Sequence, residues 1–294
     1  MKTVAATIRR VGLIANPEKP DVARLVRRAQ KLITTARRTV VLEANTATML
    51  GGRFRSVCSM PELAAATDLI LVLGGDGTML KAAREIAGHL TPLLGINAGH
   101  LGFLTGVSPN HLQAALHRVW EGRFHLEERA MLDGTVCRGQ EHTTLLALND
   151  FVLSRGLTSR LIELEVRVNS ELLTRYRCDG FIASSPTGST AYSLAAGGAI
   201  VSPDTEALTL TPICPHTLSI RPVVVNLAST VSVKVVSSRL VAILAADGQQ
   251  QVELSTGDAV TIRRSARSVR LLRLEGTNFF STLRQKLGWS GSNV

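Results

Sequence analysis

Three glycines and an aspartate sit together in Leu73-Gly74-Gly75-Asp76-Gly77-Thr78, between an apolar run and the start of a helical pattern. Glycines let backbone N–H groups approach an anion closely, and the helix N-terminus adds free donors, so this turn suits a phosphate. An aspartate there would repel the phosphate if binding were the whole purpose. It makes sense where a carboxylate holds a divalent metal or accepts a proton from an attacking hydroxyl. The plain alternative is an aspartate that only caps the helix. The spacing is neither GxxxxGK nor GxGxxG, which sets aside the P-loop and the dehydrogenase fingerprint.

Further along, Leu148-Asn149-Asp150 places an amide beside a carboxylate, a pair able to read hydroxyls and a purine edge, although Asn-Asp is more often a turn. Arg177-Cys178-Asp179-Gly180 leads into Ser185-Pro186-Thr187-Gly188-Ser189-Thr190-Ala191-Tyr192, a second small-residue turn crowded with hydroxyls and followed by a helical pattern. Such a cluster can donate to phosphate or ribose, and Tyr192 can cover an aromatic ring or serve as a core residue. Asp247-Gly248-Gln249 taken alone is a hairpin turn. No GxSxG is present, so a serine-hydrolase elbow is not expected.

The elements that must position these residues change character along the chain. Val11–Ala15, Thr39–Leu42, Asp68–Leu73 and Leu93–Ile96 read as strands. Between them lie helical patterns: one capped by Asp21 with Val22, Leu25, Val26, Ala29 and Ile33 inward, one from Thr78 to Ala87, and one capped by Ser108 with Leu112, Leu116 and Val119 on one face. This alternation predicts a doubly wound α/β domain. Beyond Arg123, strict alternation in Ile162–Val168 and Val231–Val235, with turns at Asn169-Ser170, Asp247-Gly248 and Thr256-Gly257-Asp258, predicts a β-rich domain. The expected boundaries are 1–125 for the α/β domain, 126–275 for the β-rich domain, and 276–294 for a C-terminal helix, Phe279–Leu287, that closes it, with a frayed polar tail.

Composition narrows the classes. The 294 residues are 45% hydrophobic and 19% charged, as in a globular chain. A net charge of +10 favours anionic partners, yet aromatics are only 4%, so nucleic-acid binding is not the expectation. Cys58, Cys137, Cys178 and Cys214 are scattered without a CxxC pair, which predicts ordinary buried or half-buried thiols in a reducing cytoplasm and no zinc site. No apolar run is long enough for a membrane span or a secretory signal.

Taken together and in this order, the four motifs resemble the bacterial NAD kinases, over most of the chain from Val11 to Leu287. The glycine-rich aspartate turn is shared with lipid kinases and phosphofructokinases; Thr187–Tyr192 is more specific. The resemblance implies a two-domain enzyme with its site in the interdomain cleft. It would transfer the γ-phosphoryl of ATP, or in some members of polyphosphate, to the 2′-hydroxyl of the adenosine ribose of NAD, giving NADP. It implies Asp76 as the catalytic base, flanked by Gly75, Gly77 and Thr78, with Lys81 placed for ATP phosphates. Asn149 and Asp150 would bind adenosine, and Arg177 and Asp179 the nicotinamide half, often across a subunit boundary in a homodimer or homotetramer. Thr187, Thr190, Ala191, Tyr192, Ser193, Leu194 and Ala195 would wrap NAD, with Gln249 and Arg160 as further contacts. Mg²⁺ or another divalent cation would accompany the phosphates, with no residue assigned as its ligand. Two positions depart from the family: Asp150 stands where Glu is usual, and Ala195 where Ser is common. The rivals are a lipid or sugar kinase, which would not need Thr187–Tyr192, and a non-catalytic NAD-binding regulator.

Overall fold

The computed structural model describes residues 8–19, 21–52, 54, 56–99, 102–156, 160–237 and 241–289. The chain divides into two units, one of Met1–Glu128 with Val269–Val294, the other of Arg129–Ser268.

The first unit holds five parallel strands, β1 (Arg10–Ala15), β2 (Thr39–Glu43), β3 (Val57–Cys58), β4 (Leu69–Gly74) and β5 (Leu93–Asn97), in the order β5-β4-β1-β2-β3. The end of a much later strand joins beside β5, pairing Leu271 with Leu93. Every residue of β4 is buried, as a strand covered on both faces must be. The covering helices are α1 (Val22–Thr35), α2 (Ala44–Leu50), α3 (Met60–Ala66), α4 (Asp76–Glu85) and α5 (Leu112–Trp120). Helix α1 buries Val22, Leu25, Val26, Ala29 and Ile33, the five positions the 3.6-residue period picks out.

The expected caps differ from those found. Asp21 adopts a left-handed φ of 59° and its side chain caps nothing. Ser108 precedes a 3₁₀ turn, Pro109–His111, and its hydroxyl bonds the ring of His111; the helix itself starts three residues later than that cap implied. Caps do form at a Ser59–Glu62 capping box on α3 and at Glu43, whose carboxylate accepts from the Asn45 and Thr46 amides on α2.

From β1 the chain moves outward to β2 and β3, then returns to β4 on the other side of β1. Open α/β sheets bind ligands at the carboxyl ends of the strands flanking such a reversal. Strand β4 ends there, and Asp76 opens the helix that follows.

The second unit is built of strands. β6 (Phe124–Arg138) runs into it from the first unit and pairs with β7 (Glu141–Ala147). The others are β8 (Asp150–Ser154), β9 (Ile162–Val168), β10 (Glu171–Cys178), β11 (Gly180–Ser184), β12 (Ala207–Ile213), β13 (Val223–Asn226), β14 (Val231–Val235), β15 (Ala242–Ala246), β16 (Gln250–Leu254) and β17 (Ala259–Leu274). One antiparallel sheet runs β13-β12-β11-β8-β15-β16, and β10-β9-β14-β17 forms a second antiparallel run. Both contribute to one buried cluster around Phe151, Phe181, Leu164 and Val233. The turn at Asn169-Ser170 joins β9 to β10 with positive φ at both residues (50° and 72°), as two-residue hairpins prefer, and Asp247 and Gly248 in the three-residue connection from β15 to β16 also have positive φ (51° and 66°).

After Thr187–Thr190, a 3₁₀ turn, comes the four-residue helix α6 (Tyr192–Ala195). Helix α7 (Phe279–Leu287) has the expected bounds, but it belongs to the first unit, carried back there by the end of β17. The tail expected to fray, after Trp289, lies outside the described residues. Among the described residues, no helix is long and apolar enough to cross a membrane.

Candidate active site

Asp76 is the first residue of α4, two positions earlier than the periodicity suggested, with Gly75 as its N-cap. Its own carboxylate does not cap the helix. Oδ2 accepts from the Phe103 amide at 2.8 Å, and Oδ1 from the amides of Leu104 (3.2 Å) and Thr105 (3.1 Å) and the Thr105 hydroxyl (3.0 Å). The aspartate therefore reads the loop after β5, and the capping alternative fails. A carboxylate offers about four lone-pair sites. Three bonds crowd Oδ1 and one reaches Oδ2, so among the described residues Oδ2 keeps an open acceptor position. Gly102 makes this possible: any Cβ there would overlap the Asp76 carboxyl group.

The surroundings suit a phosphate donor. Gly75 and Thr78 are half-buried, and Gly77 and Lys81 lie exposed on the first turns of α4. The amides of this turn carry the partial positive end of a ten-residue helix.

In the second unit, strand register gathers the other motifs into two groups. Asp150 opens β8 opposite Ser184, which closes β11, while Asp247 follows β15. One end of this sheet thus collects Asn149, Asp150, Thr187, Thr190 and the 247–249 turn. The Asp247 carboxylate accepts from the amides of Leu148 (3.0 Å), Asn149 (2.8 Å) and Asp150 (3.3 Å), so the hairpin turn also fastens this segment. Asn149 in turn accepts from the Ser185 amide at 2.8 Å. The far end of β8 and β11 holds Asp179, whose Oδ1 lies 2.8 Å from Nε of Arg155, with exposed Arg177 one residue before Cys178. Five residue steps, from Asp150 to Arg155, separate the two groups, ~17 Å at about 3.4 Å per step.

Within 187–195 the side chains divide. Thr187 Oγ1 accepts from Arg129 at 3.5 Å, and the buried Ser193 hydroxyl bonds that of Thr211 at 3.0 Å. Thr190, Ala191 and Leu194 are half-buried, whereas Tyr192 is 48% exposed and Ala195 is exposed. Arg160 and Gln249 are exposed as well.

Asp150 is only 4% exposed, and burial, with the Asp247 charge adding to it, raises its pKa from 3.8 to about 7. The folded state therefore binds a proton that the unfolded state has lost between roughly pH 4 and 7. This group's contribution makes stability fall as pH rises across that window, by an amount on the order of 4 kcal/mol above it. Asp150→Asn is expected to melt higher than the parent at pH 8 and to show little difference at pH 4. Parallel melting temperatures across the pH range in parent and variant would refute it.

Burial pushes the Cys178 thiol up to about 12, and all four cysteines are free. Cys214 is exposed, not buried or half-buried as expected. Among the described residues, no three His, Cys, Asp or Glu side chains cluster as a metal cage.

Sequence comparison extends these observations. Residues 11–124 match the ATP-NAD kinase N-terminal domain and residues 148–274 the ATP-NAD kinase C-terminal domain. The chain is 43% identical over 282 residues to the NAD kinase of Teredinibacter turnerae, covering 95% of this chain and 96% of that one. It is 43% identical over 278 residues to the NAD kinase of Desulforamulus reducens, covering 94% and 96%. Among solved structures, yeast NADH kinase complexed with NADH aligns with a TM-score of 0.88 at 26% identity, covering 97% of this chain and 89% of that one. An NAD kinase from Archaeoglobus fulgidus in complex with ATP aligns at 0.75 with 27% identity, covering 96% and 100%. The chain belongs to the NAD kinase family.

Proposed function

We propose that this NAD kinase sets the 2′-hydroxyl of the adenosine ribose against Oδ2 of Asp76 while ATP supplies the γ-phosphoryl group. The observation that carries the reading is the unequal use of the carboxylate: Oδ1 is fully engaged by the loop, and Oδ2 has room for one more donor. Phosphoryl transfer passes through a loose transition state, so positioning and charge neutralisation dominate. Asp76 orients the hydroxyl and draws off its proton as the new P–O bond forms. The amides at the start of α4 and Lys81 receive the donor's phosphates. Asn149 and Asp150 take the adenosine, with Asp150 able to donate as a neutral acid near pH 7. The segment 187–195 lies along NAD, with Gln249 and Arg160 at its margin.

Arg177 and Asp179 stand at the opposite end of the β8–β11 pair, which suits the nicotinamide half or a neighbouring subunit's NAD in a dimer or tetramer. Mg²⁺ would be held mainly by the phosphates and by one or two carboxylates, as this cation commonly is. When bound it neutralises charge on the transferring phosphoryl group.

The direct test mixes purified protein, Mg²⁺, ATP and NAD and resolves the product by ³¹P NMR. NADP phosphorylated at the adenosine 2′ position is expected, and 2′-deoxyadenosine NAD should be inert. Phosphorylation at another hydroxyl, or turnover of the deoxy analogue, would overturn the assignment.

A further inference from the structure

The loop that grips Asp76 is itself held from behind. Arg273, near the end of β17 and 17% exposed at its side chain, directs its guanidinium at the loop's carbonyls: Nη2 donates to Phe103 O at 2.9 Å and Nη1 to Leu104 O at 3.4 Å. Its Nε donates to Glu127 Oε2 at 3.2 Å, which fixes the plane of the fork. The Phe103 carbonyl shares a peptide plane with the Leu104 amide, and the Leu104 carbonyl shares one with the Thr105 amide. Those two amides are donors to Asp76 Oδ1. A fixed positive charge is thus linked to the aspartate through two oriented peptide groups.

We propose that Arg273 is a positioning residue for the reaction: through the peptides 103–104 and 104–105 it fixes the rotamer of Asp76 and keeps Oδ2 aimed at the acceptor. The inference rests on the reading of Asp76 given above. The physics favours a linked chain over separate contacts. Hydrogen bonds in series polarise one another, and a guanidinium at one end and a carboxylate at the other polarise both peptides in the same sense. Arginine suits this place because its planar fork meets two carbonyls at once while a third N–H is anchored; a lysine ammonium has no such plane.

Two further contacts press on the same loop. Phe279 of α7 stacks at a tilt against Phe103, with centroids 6.4 Å apart, and Lys286 Nζ lies 5.9 Å from the Phe103 ring centroid. Thr105 is fully buried and gives Oδ1 both its amide and its hydroxyl. The C-terminal strand and helix therefore support the loop from one side while Asp76 leans on it from the other.

Steady-state NADP formation by the full chain with Mg²⁺, ATP and NAD tests this in three variants. Arg273→Met keeps the apolar stem and removes the fork. Its kcat is expected to fall ~10–100-fold, the scale of a small misplacement of a reacting group, with KM for NAD and ATP within about threefold of the parent. Arg273→Lys should recover part of kcat. A kcat within twofold of the parent in Arg273→Met, or a change confined to KM, would overturn the proposal.

Should Arg273→Met fail to fold, Thr105→Val serves instead. It is nearly isosteric, removes one bond to Oδ1, and should lower kcat ~3–10-fold with KM unmoved; unchanged kcat would count equally against the idea. Asp76→Asn separates the two readings. Normal turnover in Asp76→Asn would dismiss Asp76 itself. An inactive Asp76→Asn beside fully active Arg273→Met and Thr105→Val would dismiss only the linkage through the loop.

Discussion

Replacing Asp76 by asparagine is expected to lower kcat by ~10³-fold, within the ~10²–10⁴ that a positioned general base supplies, while NAD still binds. Two effects combine. The amide cannot accept the hydroxyl's proton. It also carries only one acceptor oxygen, and four donors, the amides of 103, 104 and 105 and the Thr105 hydroxyl, converge on the carboxylate. Whichever way the asparagine turns, its NH₂ meets at least one of those donors. Part of the loss therefore comes from a displaced side chain, and Asp76→Ala should be no worse than Asp76→Asn. The melting temperature should drop as well, since charge-assisted bonds of about 1.5–3 kcal/mol each are given up. Initial rates, NAD titration calorimetry and a thermal melt on one preparation make the check. Turnover above about a tenth of the parent's would take Asp76 out of the chemistry, because a base contributing its usual factor could not be lost so cheaply.

How far this site was legible in the sequence depended on whether a residue's role is written in its own neighbourhood. The inward face of α1 was readable because five apolar positions repeat with the helix period. Strand β9 was readable because Ile162–Val168 alternates, and the Asn169-Ser170 turn because Asn and Ser favour turns and Asn accepts positive φ. Asp76 stood out as a charge among glycines. What serves it did not. Arg273 acts on two backbone carbonyls, and a carbonyl acceptor leaves no side-chain signature at positions 103 and 104. Asp247 looked like an ordinary hairpin aspartate because its targets are the amides of a strand brought alongside by the β8–β15 register. Asp179 gave no hint of Arg155, which becomes its neighbour only when β8 and β11 pair antiparallel. The capping expectations at Asp21 and Ser108 missed for a related reason: a residue type that favours a cap does not oblige its side chain to make one. Gly102 went unread because its role is to leave space for a side chain far away in sequence.

The same kind of space decides the second large effect. Gly188→Ala is expected to cost the protein both NAD affinity and stability, although it adds a single methyl group. A Cβ at position 188 would meet the carbonyl oxygen, carbonyl carbon and Cα of Asn149, all backbone atoms that no rotamer change can move aside. Segment 148–150 has little freedom to retreat. Its amides are held by Asp247, its Asn149 carbonyl by the Ser185 amide at 2.8 Å, and its Leu148 carbonyl by the Ser185 hydroxyl. The Gly188 amide itself donates to Ser185 Oγ at 3.2 Å, so the turn cannot swing outward without giving up that bond. Overpacking at such a point costs typically about 1–3 kcal/mol of stability. Because the displaced segment carries Asn149 and Asp150, the shift should also raise KM for NAD by ~10-fold or more, by misplacing the residues proposed to take the adenosine. KM for ATP should change far less, since Lys81 and the α4 amides belong to the other unit. Measuring both KM values beside the melting temperature separates this from general unfolding. Equal changes for the two substrates, or none for NAD, would mean that 148–150 does not carry the adenosine.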